Sequence, residues 1–79
     1  MEIKIGQRWQ RFDTKQNYSI IIEVLNDQKN NLFEYDCKIL QEIGHDKYQE
    51  YSVNSIGSFK LTDFSCIKYI FLEGQDKDG

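Results

Sequence analysis

From Leu32 to Ile39 the chain alternates: Phe33, Tyr35, Cys37 and Ile39 fall on one side, and Glu34, Asp36 and Lys38 on the other. Successive side chains of an extended strand point to opposite faces, whereas a helix would scatter those four apolar residues around its circumference. A strand with one wet face and one dry face must find partners. The rest of the chain reads as their source. Proline is absent, so nothing interrupts a strand by that route.

Tyr18 to Leu25 is the strongest partner. Its β-branched, nearly continuous apolar run predicts a central strand covered on both faces. The cluster Asn26 to Asn31 tolerates left-handed backbone and predicts the hairpin turn that joins these two segments. Gln7 to Phe12, after Gly6, predicts a first strand, and Asp13 to Asn17 a turn. Gln41 to Asp46 is expected as a second connection, with Gly44 in the left-handed region. Lys47 to Val53 is expected as a further strand and Asn54 to Ser58 as a tight polar turn. Leu61 to Ser65 is expected as a single helical turn. Cys66 to Leu72 reads as the last strand, with Ile67, Tyr69 and Phe71 on one face. Residues 1–72 are thus one all-β domain, and 73–79 a flexible polar tail. Five short strands must curl to cover their own core. A small SH3-like or OB-like barrel, or a strongly bent antiparallel sheet, follows.

The chain has 79 residues, a length at which only ~60% of the unfolded surface is buried on folding. Disulfides, metals or oligomerisation usually supplement so small a core. Cys37 and Cys66 are the only cysteines and His45 the only histidine, too few for a four-residue zinc site within one chain. The start Met1-Glu2-Ile3-Lys4 does not read as a secretory signal, so two reduced thiols and a cytoplasmic location are expected. No apolar run approaches the ~20 residues of a spanning helix. Oligomerisation is the expected supplement, with an exposed edge strand as one route to a second copy.

The formal charge is −3. Residues 1–40 balance six basic against six acidic side chains, and residues 41–79 carry four basic against seven acidic. Phosphate contacts dominate nucleic-acid affinity, so this balance disfavours duplex binding. Chemistry is poorly provided for. His45 adjoins Asp46, but neighbours in sequence do not orient each other as a triad requires. Glu34 and Asp36 share a predicted outer face, where solvated carboxylates belong. The Asn26 to Asn31 turn lacks the closing glutamate of a calcium loop. The chain therefore reads as a binding protein, without enzyme activity, cofactor or metal.

Two groups of residues suit a ligand. Arg8 and Arg11 interleave with Trp9 and Phe12, and cations among aromatics suit phosphates and stacked bases. Alternation puts Arg8 and Arg11 on opposite faces unless the strand bends, and Trp9 also suits the role of core plug. Tyr48 and Tyr51 precede the polar loop Asn54 to Ser58, whose backbone N–H groups and hydroxyls suit a phosphate or sugar, and Lys60 follows it as a further cation for phosphate. Arg8, Trp9, Arg11, Tyr48, Tyr51, Ser58 and Lys60 are accordingly the candidate ligand-binding residues.

The layout resembles small β-barrel accessory proteins of bacteriophages. The likeness lies in the Gly6-Gln7-Arg8-Trp9 start, the strand Ile20 to Leu25 and the tail Leu72-Glu73-Gly74-Gln75-Asp76-Lys77, while Tyr48 to Lys60, with its turn Gly57-Ser58-Phe59-Lys60, resembles a phage DNA-associated module. That resemblance implies a viral protein acting in the host cytoplasm against a defence system. The leading expectation is a homo-oligomer that sequesters a small anionic ligand such as a nucleotide second messenger. The alternative is an acidic inhibitor that binds a host defence protein by imitating nucleic acid. A third reading is a barrel for single-stranded nucleic acid.

Overall fold

The computed structural model describes residues 2–45 and 51–74. Five strands run in chain order: β1 (Arg8–Asp13), β2 (Tyr18–Val24), β3 (Tyr35–Ile43), β4 (Ile56–Phe59) and β5 (Ile67–Glu73). They form one sheet in the order β4-β3-β2-β1-β5. Every pairing is antiparallel. The all-β class holds. The edge strands β4 and β5 do not pair with each other, so the sheet is open and not a closed barrel.

β2 is central, as its composition predicts. Tyr18, Ile20, Ile22 and Val24 are all but inaccessible on its inner face. They meet Trp9 of β1, Tyr35, Cys37 and Ile39 of β3, and Phe59 and Leu61 from the end of β4 in one hydrophobic core. Burying side chains of this size contributes ~1.5–3 kcal/mol each, and this one-sided core is the main source of cohesion. The outer face of β2 is only partly covered: Ser19 is buried, whereas Ile21 and Glu23 are half-buried.

The β1–β2 turn forms as its composition predicts. The Asp13 carboxylate accepts the backbone N–H groups of Lys15 and Gln16 at 3.0 and 3.3 Å, and Asn17 takes φ +52°. Gly44 follows β3 at φ +88°, where an added Cβ would lie 2.6 Å from the Asn17 carbonyl oxygen.

Other elements differ from expectation. β3 starts at Tyr35 and runs on to Ile43, because Asn30 holds Leu32 and Phe33 in the preceding loop. Its side chain accepts the N–H groups of Leu32 and Glu34 at 2.8 and 3.0 Å. Asn54 to Ser58 is not all turn. The chain turns at Asn54 (φ +73°), and Ile56–Phe59 pairs with β3. Gly57 lies opposite Cys37, and its lack of a side chain leaves room for the Phe59 ring. No helical turn forms over Leu61 to Ser65, since both end residues have left-handed backbone, at φ +57° and +51°. The strand expected over Lys47 to Val53 is absent at 51–53, and its remainder lies outside the described residues, as does most of the expected tail.

A bulge in β3 has a consequence for charge. Ile21 pairs with Gln41 and the adjacent Ile22 with Ile39, leaving Leu40 as the extra residue. Without it, Glu42 would point outward. With it, Glu42 lies opposite Ile20 on the inner face, where it accepts the Tyr18 hydroxyl and the Tyr51 N–H at 3.3 Å. Bulges re-aim side chains in this way.

Candidate ligand-binding cleft

A cleft of about 520 Å³ opens at one end of the core. Tyr35, the first residue of β3, stands opposite Phe59, the last of β4. Lys60, Leu61 and Thr62 follow directly and form one wall. The loop between β2 and β3 contributes Lys29 and Phe33, and the N-terminal segment contributes Ile3. Among the described residues that line the cleft, the two lysines and the Tyr35 phenol are the ionisable groups. Burial and then the charge of Asp27 raise that phenol above its ordinary pKa. It is thus a neutral hydroxyl at physiological pH.

The loop is built to hold its shape. Besides its side-chain bonds, Asn30 donates its N–H to the Glu34 carbonyl at 2.9 Å and accepts the Phe33 N–H at 3.0 Å. Asn26 accepts the Gln28 N–H at 3.0 Å in a second turn of the same kind. Phe33 is thereby fixed at φ +61° with 72% of its surface exposed. A phenyl ring in a left-handed conformation at the surface is unfavourable on both counts. Across the cleft, the Lys60 ammonium sits 5.1 Å from the centre of the Phe64 ring. Among the described residues neither Lys29 nor Lys60 is ion-paired.

The residues singled out from the sequence are dispersed. Lys60 lines the cleft. Arg11 and Tyr51 meet elsewhere on the inner face, the guanidinium 5.6 Å from the ring centre. Tyr51 stacks on Tyr18 at 6.4 Å and tilts against Phe59 at 5.7 Å, and so covers the core. Burial raises the pKa of the half-buried Tyr69, and the nearby charge of Arg11 opposes that rise. Trp9 is in the core, edge-on to Phe71 at 5.4 Å. Arg8 lies on the outer face between Glu23 (3.1 Å) and Glu73 (2.9 Å), so alternation does separate it from Arg11. Ser58 is on the outer face too, 3.4 Å from the Asp36 carboxylate. Tyr48 lies outside the described residues.

Ile3, Lys29, Phe33, Tyr35, Leu61 and Thr62 are the cleft residues missing from the candidate set read from the sequence. The available signal was Leu32-Phe33, an apolar pair directly after a cluster of turn formers. Read as the start of a strand, it concealed an exposed ring on a loop. Among the described residues no group of histidine, cysteine and carboxylate side chains is arranged to hold a metal, and no helix is long and apolar enough to cross a membrane. Comparison with protein-family models, curated proteins and solved structures finds no match for this chain.

Proposed function

We propose that this protein is a non-enzymatic binding module that takes a small organic anion of the nucleotide type into the cleft. The observation that carries this reading is the exposed, backbone-constrained Phe33 beside two lysines, with no carboxylate among the described lining residues. Ammonium groups are point charges suited to phosphate. A flat ring held at the rim suits a base, and stacking of this kind contributes ~1–3 kcal/mol. The Thr62 and Tyr35 hydroxyls supply neutral hydrogen-bonding groups for a sugar or base edge. The volume, about 520 Å³, is within the range of small-molecule sites. Sequestration of a nucleotide signal by a viral accessory protein is the setting this reading fits.

A thermal-shift panel of mono-, di- and cyclic nucleotides tests it. A ligand that binds only the folded state adds about 2.7 kcal/mol of stability at a hundredfold excess over Kd. One nucleotide class should raise Tm. Lys60→Glu and Lys29→Glu should each abolish the rise, and Phe33→Ala should weaken binding roughly tenfold or more. Arg8→Ala, on the opposite face, should leave it unchanged. No shift across the panel, or a Lys60→Glu variant that binds as tightly as the parent, would overturn the proposal.

A further inference from the structure

The outer face of the sheet carries an ordered row of charges. Cross-strand pairing aligns Glu73 of β5, Arg8 of β1, Glu23 of β2 and Lys38 of β3 side by side. The signs run minus, plus, minus, plus. Beside this row lie Ile70, Gln10, Ile21 and Gln41, and beyond them Lys68, Phe12, Ser19 and Ile43. Ile70 is 49% and Ile43 40% exposed. The face thus mixes apolar and uncharged polar side chains between the charged row at one margin and Lys68 at the far corner on β5.

A row of alternating sign with an even number of members has a particular symmetry. Turned about a twofold axis parallel to the strands and between β1 and β2, it meets its own opposite. Glu73 then faces the second copy's Lys38, and Arg8 faces the second copy's Glu23. The self-complementary patch of a twofold interface has this property. The row sums to zero charge, so both copies can be desolvated together, each ion facing a counter-ion. Two sheets stacked face to face lie about 10 Å apart, a distance that the two sets of long charged side chains can span. We infer that the outer face is a homodimer interface, with a second copy of this chain as its occupant.

The interface is on the face opposite the core and does not depend on the ligand proposal. Sedimentation velocity from micromolar to millimolar protein should show a monomer–dimer equilibrium. Glu23→Lys/Glu73→Lys makes the row wholly positive, and Arg8→Glu/Lys38→Glu makes it wholly negative. Each variant should remain folded by circular dichroism, since the intrachain pairs it removes are exposed. Each alone should dimerise at least about a hundredfold more weakly, because like charges would face each other. An equimolar mixture of the two should recover the dimer. Ile70→Lys, at a position already half in solvent, should give a folded monomer and decides the matter if either charge variant unfolds. A parent protein that stays monomeric throughout would overturn the inference. So would a folded charge variant that dimerises normally, or a mixture of folded variants that stays monomeric.

Discussion

Gln7 is wholly buried although polar, and its side chain closes the edge of the core. Its oxygen accepts the Trp9 indole N–H at 3.3 Å, and its nitrogen donates to the Glu2 carbonyl at 3.0 Å. Gly74 backs it so closely that a Cβ there would lie 2.6 Å from the Gln7 Cα. Gln7→Leu strands the buried Trp9 indole N–H and should cost about 1–3 kcal/mol, read from urea unfolding followed by Trp9 fluorescence. Two other buried groups set the alkaline limit. Burial, and secondarily the charge of Asp36, pushes the Cys37 thiol from 9.0 up to about 12. Burial, then the hydrogen bond to Glu42, pushes the Tyr18 phenol from 10.0 up to about 12. Above their ordinary values the unfolded chain loses protons that the native state keeps, so stability must fall with rising pH. It should be intact below about pH 9 and decline progressively to pH 12. Urea midpoints measured across that range check this, and Cys37→Ala should flatten the early part of the decline. Trp9 as a core plug, and the opposite facing of Arg8 and Arg11, were legible in the sequence because both depend only on strand parity. Glu42 was not: its inward position depends on the bulge at Leu40, which no local pattern announces.

At the level of elements, the edges show how the sheet is limited. The N-terminal half of β5 is guarded by its own approach segment. The Asp63 carboxylate accepts the Tyr69 N–H at 2.7 Å, and Phe64 exchanges backbone bonds of 3.1 and 2.8 Å with Ile67. Unpaired strand edges are templates for other chains, and this segment occupies the template. Asp63→Ala should therefore leave the core intact but raise the aggregation rate on mild heating, followed by light scattering. Asp63→Asn, which keeps an acceptor, should behave like the parent. The three long strands could be read from alternation and β-branching. β4 could not, because Asn54 to Ser58 is locally turn-like, and its last residues become a strand only through pairing with Tyr35 to Lys38. The opposite error occurred at Phe33, where alternation continued on paper after Asn30 had already bent the backbone.

For the whole molecule, the arrangement is one sheet with a dry inner face, a cleft at one end of that face, and a mixed outer face. The two proposed surfaces are on opposite sides of β2, so they should act independently. Isothermal titration of the Arg8→Glu/Lys38→Glu variant with a nucleotide that binds the parent should give an unchanged Kd within about twofold, since sites without shared partners are close to additive. Fold class was readable because strand periodicity is a property of short segments. The cleft was not, because it collects residues 3, 29, 33, 35 and 60–62, which only the finished topology makes neighbours. The same topology bears on how the chain folds. β1 completes its pairing with β5, and the Arg8–Glu73 contact spans 65 positions. A growing chain can form the β1–β2–β3 meander early, but one flank of β1, and the edge of Trp9 that Phe71 covers, must wait for the last strand. Such late, long-range closure is the slow kind. Until it occurs, the nascent protein presents an unpaired strand beside an uncovered tryptophan, the state in which a chaperone would find it.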